Sequence, residues 1–226
     1  YRKNGETLSL RYSYIGSTKQ KIMQKSITMM LLSILCLTAQ AQLPLPPSGD
    51  NYQASVTQMI GPVKVSIQYS SPDVTAPNGE SRKGKIWGAV VHYGYIDQGF
   101  GTSKAAPWRA GANENTTISF SHAVSIGGKI VEAGTYSLFL EVQADKEWTW
   151  ILNKDIHSWG SYFYDPAQDV VRVKAKPEEA EYTEWLTYGF SNRKRNTATA
   201  YLQWENKRVG FAIDVPNANE LYVTAI

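Results

Sequence analysis

The run Trp108-Arg109-Ala110-Gly111-Ala112-Asn113-Glu114-Asn115-Thr116-Thr117-Ile118-Ser119-Phe120-Ser121 changes character halfway along. Its second half alternates, with Thr116, Ile118 and Phe120 on one side and Thr117, Ser119 and Ser121 on the other. Successive side chains of a pleated strand point to opposite faces, so this period of two marks a half-buried β-strand. The run's first ten residues, Trp108 to Thr117, hold an aromatic ring, a fixed cation, a carboxylate, two amides and a glycine. Those groups can either hold a ligand or pin a loop.

The same period recurs on both sides of this run. Val63, Val65, Ile67 and Tyr69 alternate with Lys64, Ser66 and Gln68; Tyr136, Leu138 and Leu140 with Ser137, Phe139 and Glu141; Trp148, Trp150 and Leu152 with Thr149, Ile151 and Asn153. Turn signals at Pro77-Asn78-Gly79, Gly127-Gly128, Ala133-Gly134 and Asn206-Lys207 separate the runs. The last pair predicts a hairpin, with Leu202 and Trp204 before it and Val209, Phe211 and Ile213 after it. Gly128 to Glu132 predicts a short strand, and Ile86-Trp87-Gly88 another. Only two windows have helical character. Pro177 to Trp185 reads as an extended acidic linker with room for one helical turn, and Asp145-Lys146-Glu147 is long enough only for a turn. Some ten short strands with regular punctuation predict an all-β fold: one antiparallel, jelly-roll-like sandwich over residues 52–226.

The chain ahead of this domain has a different character. Residues 1–22 are polar and basic and read as upstream sequence. Met23-Gln24-Lys25-Ser26, the apolar run Met29 to Leu37 and Ala39-Gln40-Ala41 form the three parts of a secretory signal peptide over residues 23–41. The apolar run is well short of the roughly 20 residues that span a bilayer, so no transmembrane segment is expected after cleavage. Residues 42–51, with Pro44, Pro46 and Pro47, read as a stiff tether. The expected location is the periplasm or the cell exterior. The single cysteine, Cys36, lies inside the apolar run, so the mature chain is expected to have no thiol for a disulfide, a nucleophile or a zinc site. Six of the 23 Lys and Arg and one of the 20 Asp and Glu precede residue 42, leaving 17 against 19 and a mature net charge of −2. This balance, with Arg193-Lys194-Arg195 as the one short basic run, excludes a nucleic-acid footprint.

Conventional catalytic signatures are missing. There is neither G-x-S-x-G nor H-E-x-x-H, and His92, His122 and His157 are too far apart to read as a metal set. No metal and no cofactor are expected. Two segments remain as candidate binding sites. In the first, Arg109 offers a planar fork for an anion, Glu114 an acid, base or anchor, Asn113 a donor and an acceptor, and Trp108 a flat apolar face. The structural alternative uses the same residues. Asn113 closes a turn, Gly111 supplies a positive φ, and Arg109 pairs with Asp97 or Asp155. The second segment, Asn153 to Asp165, carries His157, Trp159, Tyr162, Phe163 and Tyr164 and either lines a groove or plugs one end of the sandwich.

Trp108-Arg109-Ala110-Gly111-Ala112-Asn113-Glu114, Ala133 to Leu138, Trp148 to Asn153, Trp159-Gly160 and Asp169 to Val173 together resemble a family of exported, Bacteroidetes-type bacterial proteins known only as a domain of unknown function. Its mark is W-R-x-G-A-N-E, and the resemblance spans Gln53 to Ile213. Tyr93 to Pro107 is longer and richer in glycine than the link the family usually places there. The resemblance implies export and brings no activity, cofactor or catalytic residue.

Three functions fit these residues. The first is a binding or envelope-associated module whose partner is a carbohydrate, a peptide or an envelope protein. The second is a hydrolase on carbohydrate or peptide, with Glu114 as general acid/base, which requires a second carboxylate close by. The third is a structural domain whose aromatic loop docks another protein.

Overall fold

The computed structural model describes residues 51–224. The upstream segment 1–22, the signal pattern 23–41 with Cys36, and the tether up to residue 50 lie outside the described residues. Ten strands follow in chain order: β1 (Tyr52–Ile60), β2 (Val63–Ser71), β3 (Ala112–Phe120), β4 (Val124–Ile126), β5 (Lys129–Val131), β6 (Gly134–Glu141), β7 (Trp148–Asn153), β8 (Asp169–Ala175), β9 (Glu178–Ser191) and β10 (Thr197–Asp214). One helix, α1 (Ala218–Thr224), follows them. Six strands form one sheet in the order β1-β2-β3-β6-β7-β8, and four form the other in the order β5-β4-β10-β9. Every pairing between these strands is antiparallel. The fold is the all-β sandwich that the period of two predicts.

The alternating apolar residues meet between the sheets. Val63, Val65 and Ile67 of β2, Ile118 and Phe120 of β3, Leu138 and Leu140 of β6, and Trp150 and Leu152 of β7 face Leu186, Leu202, Trp204, Phe211 and Ile213 in one buried cluster. Each such side chain contributes roughly 1.5–3 kcal/mol by leaving water. Residues 51–224 contain no cysteine, so no disulfide crosses the sandwich, and this burial is what holds it together.

Several local expectations are overturned. Asn206-Lys207 does not close a hairpin, because β10 runs unbroken through it. Glu205 takes φ 54°, and the β9–β10 register shifts on either side of it. This bulge changes which parity faces inward, from Ala198, Ala200, Leu202 and Trp204 to Val209, Phe211 and Ile213. A change of parity looks like a turn when only the alternation is visible. The 177–185 window is extended, as expected, but holds no helical turn, since β9 begins at Glu178 and pairs with Arg208. Ile86-Trp87-Gly88 is not a strand. Val90 N donates to Lys85 O (3.2 Å) and Val91 N to Ile86 O (2.8 Å), closing a wide turn. Helix α1 carries no signal that the period of two would reveal, and it was not expected.

The outer face of the six-stranded sheet differs from its alternation as well. Phe139 and Ile151 point away from the main core yet are buried, together with Tyr164 and the partly buried Tyr95. The segments 93–107 and 154–168 lie over that half of the face and supply these tyrosines. Tyr164 donates to Asp169 (2.8 Å), Arg172 donates to both Tyr164 (2.8 Å) and Tyr95 (3.2 Å), and Tyr95 donates to Glu141 (3.1 Å). Burial, then the neighbouring Glu141 charge, pushes the Tyr95 hydroxyl up to about 12; burial and the bond to Asp169 raise Tyr164 further. Both phenols therefore stay protonated and act as fixed donors.

Candidate functional site

The site is built on an extrusion of the chain at the start of β3. Trp108 and Leu140 exchange two backbone hydrogen bonds, of 3.1 and 2.9 Å, and Thr117 pairs with Ser137. Nine steps on one side thus oppose three on β6. On the other side Thr117 pairs with Gln68 and Ala112 with Ser70, so five steps oppose two on β2. The surplus residues leave the ladder and aim Arg109 to Asn115 in directions that strict alternation forbids.

Positive φ is carried here by Ala110 (51°) and Asn113 (56°), not by Gly111 as expected. Asparagine tolerates that region; alanine does so at a cost, held here by its surroundings. The Ala110 carbonyl accepts from Tyr188 Oη (2.7 Å) and Thr116 Oγ1 (3.1 Å). Gly111 is needed for a different reason. A Cβ there would stand 2.6 Å from Thr116 Oγ1 and 3.2 Å from the Ser70 carbonyl.

Trp108 does not offer an open face. It is buried, its Nε1 donates to Gly111 O (3.1 Å), and its ring stacks at 18° on Trp204, with centroids 6.2 Å apart. Trp87 packs edge-on against both, at 5.9 and 6.1 Å, and touches Trp148 at 4.8 Å. Trp108 is therefore a wall of the core, reaching the site from beneath.

Arg109 pairs with neither Asp97 nor Asp155. Asp97 is bridged by Lys104 (3.1 Å), and Asp155 accepts from His157 N and Ser158 Oγ. Arg109 Nη1 instead donates to Asn113 O (2.6 Å), bracing the loop from within. Its guanidinium lies over the Tyr162 ring, 5.3 Å from the centroid, and against Gly160, where a Cβ would fall 2.6 Å from Nη2 and closer still to Cζ. The two candidate segments thus meet at Arg109. Ser103 N also donates to the Tyr162 carbonyl (2.9 Å), which ties the 93–107 segment to the same point.

Trp108, Arg109 and Asn113 line one hollow of about 330 Å³ with His92, Gln98 and Trp204. Arg82 and Asp73 also line it, and they engage each other: Arg82 Nη2 donates to Asp73 O (2.8 Å) and stands 3.8 Å from the Asp73 carboxylate. Among the described residues no carboxylate forms an ion pair with Arg109. His92 Nδ1 sits 3.1 Å from the Gly94 carbonyl and donates to it, which leaves Nε2 as an acceptor. Burial holds the imidazole below its ordinary range, so it stays neutral. His92 Nε2, Gln98 Oε1 and Asn113 Nδ2 are buried without a hydrogen-bond partner.

Glu114 does not join this hollow. It lies on the open face of β1–β3, in a groove of about 470 Å³ lined by Gln53, Ser55, Gln68, Ser70, Asn115 and Thr117 among others. Its carboxylate accepts from Ser70 Oγ (3.1 Å) and Gln53 Nε2 (3.4 Å), and no second carboxylate lines the groove. His157 and Trp159 are exposed on the 154–168 segment, while Tyr164 is consumed by the buried network. Sequence reasoning missed His92, Gln98, Trp204, Asn115 and Gln68. Of these, only Asn115 lay inside the singled-out run. No group of three or more metal-ligating residues occurs among the described residues, and none of their helices is long and apolar enough to cross a membrane.

Fold and site together define an all-β sandwich with a polar hollow at one end and a polar groove on one face. The family described as "Protein of unknown function (DUF2911)" matches residues 51–213, and the chain belongs to it. No curated protein and no solved structure matches the chain.

Proposed function

We propose that this protein is an exported binding module, and that its ligand occupies the hollow between Trp108, Arg109, Asn113, His92 and Gln98. One observation carries the reading: three residues that line that hollow each hold a buried polar atom with no partner. A buried donor or acceptor left unpaired costs on the order of 1–3 kcal/mol, and a ligand that supplies the missing partners removes that cost on binding. Asn113 Nδ2 donates, while His92 Nε2 and Gln98 Oε1 accept. Arg109, with no carboxylate partner among the described residues, favours a negative group. The ligand is therefore small and polar, with hydrogen-bond donors and an anionic end, as a short peptide or an acidic sugar has. Export is supported by the three-part pattern at 23–41. In this reading Trp108, Arg109, Gly111, Ala112 and Asn113 serve together as one wall of the hollow.

A heteronuclear NMR titration of the protein with dipeptides, free amino acids and uronic acids tests the proposal. The expected result is saturable shifts of the Asn113 and Gln98 side-chain amides and the Trp108 indole, lost in Asn113→Ala. The absence of shifts with every probe means that solvent alone serves these atoms, and it overturns the reading.

A further inference from the structure

We infer that the groove on the open face of β1–β3 is a second, separate site, and that it binds a neutral glycan. The argument begins with Asn115. Its Nδ2 donates to Ser137 Oγ (2.9 Å) and reaches the Asp155 carbonyl (3.4 Å). A carbonyl can only accept, so the amide orientation is settled and the amide hydrogens are directed at Ser137 of β6 and at Asp155. The other atom, Oδ1, is buried without a partner, although Asn115 is only 8% exposed and lines the groove. A nine-tenths buried amide with an empty acceptor is an incomplete hydrogen-bond set.

The neighbouring groups define what would complete it. Glu114 offers a carboxylate with about four lone-pair sites, of which Ser70 and Gln53 fill two. Ser55, Gln68 and Thr117 are direct cross-strand neighbours, a row of hydroxyl, amide and hydroxyl about 4.8 Å apart across three strands. These side chains both donate and accept, as the adjacent hydroxyls of a sugar do. Neither lysine nor arginine lines the groove, so nothing there attracts a phosphate, a sulfate or an acidic polymer. The only charge is Glu114, and one half-exposed carboxylate holds a cation weakly. A polyol satisfies the whole set. The groove is open along the sheet, so a chain of sugar units fits it better than a single compact solute.

The surplus residues of β3 explain why the site exists. Regular alternation would send Glu114 and Asn115 to opposite faces; the extrusion opposite Gln68 and Ser70 lets both line one groove.

The test uses isotope-labelled protein titrated with neutral hexasaccharides of glucose, mannose, xylose and N-acetylglucosamine. At least one is expected to shift the side-chain amide signals of Gln53, Gln68 and Asn115. Gln68→Ala and Thr117→Val lie on the open face and are expected to weaken that binding about tenfold, the worth of one lost hydrogen bond, with the melting midpoint unchanged. Asn113→Ala, in the hollow, is expected to leave it intact, so failure here and failure of the hollow reading are distinguishable. Silence of the groove amides with all four sugars overturns the inference. So does a response confined to His92, Trp108 and Asn113, or a response of the groove amides to spermidine but to no sugar.

Discussion

The guanidinium of Arg109 occupies the space that a side chain at Gly160 would need, with Nη2 only 2.6 Å from where a Cβ would stand. Gly160 itself holds φ 65°, in the left-handed region. This contact joins the extrusion before β3 to the aromatic segment after β7, two pieces of chain about fifty residues apart. It also fixes what Arg109 can do. One face packs on Gly160 and Tyr162, one nitrogen braces Asn113 O, and the residue still lines the hollow.

Gly160→Ala adds a methyl group where the backbone is left-handed and the guanidinium already sits. The backbone term alone costs roughly 1–2 kcal/mol, and for a domain of this size that lowers the melting midpoint by roughly 2–8 °C. A thermal melt against the parent protein measures it. A midpoint equal to the parent's would show that Arg109 does not depend on this contact.

Arg109→Ala removes the donor to Asn113 O inside the extruded loop. The expected loss is about 1–3 kcal/mol, and Arg109→Lys should recover little of it, because an ammonium cannot reproduce the planar packing on Gly160 and Tyr162. Glu114→Gln keeps the shape and an acceptor on an open groove, so its midpoint is expected to move by less than about 0.5 kcal/mol equivalent. Urea unfolding of the three variants checks the order; equal stability of Arg109→Ala and parent would remove the structural role.

Trp204→Ala empties the centre of the tryptophan cluster beneath the hollow. Deleting a buried ring of this size costs about 3–5 kcal/mol, and Trp108 loses the surface it stacks on. A large fall in denaturation midpoint together with a loss of near-ultraviolet dichroism is expected. Loss of stability with an unaltered aromatic spectrum would contradict the stacked arrangement.

Stability should also depend on pH through His92. Burial lowers its folded pKa below the ordinary 6.5, so below that value the unfolded chain binds the proton more readily than the folded one. The His92 contribution is complete above about 6.5 and is lost as pH falls through the folded pKa. Glu184, held low by the Tyr182 and Thr75 hydroxyls, loses its contribution only below the ordinary carboxylate value of 4.5. Melting midpoints followed downward from pH 6.5, while still above the carboxylate range, therefore report His92. His92→Gln is expected to flatten that window; an identical slope in the variant would refute the assignment.

Much of the architecture was legible in the chain alone. Period-two alternation at 63–69, 116–121 and 136–140 placed β2, β3 and β6 and the residues they bury, because a strand facing a core can only sort its side chains that way. The density of functional groups in 108–117 pointed to the stretch that walls both cavities. Tertiary structure decided the rest. The bulge at Glu205 made one strand out of an apparent hairpin, since local alternation cannot tell a change of parity from a change of direction. Trp108 turned inward because Trp204, almost a hundred residues away, supplied a ring to stack on. Asn113 and Glu114, adjacent in the chain, came to line different cavities because β3 carries more residues between its pairings than β2 and β6 can match. Such mismatches arise between strands, and a single strand's own sequence carries no record of its partner's length.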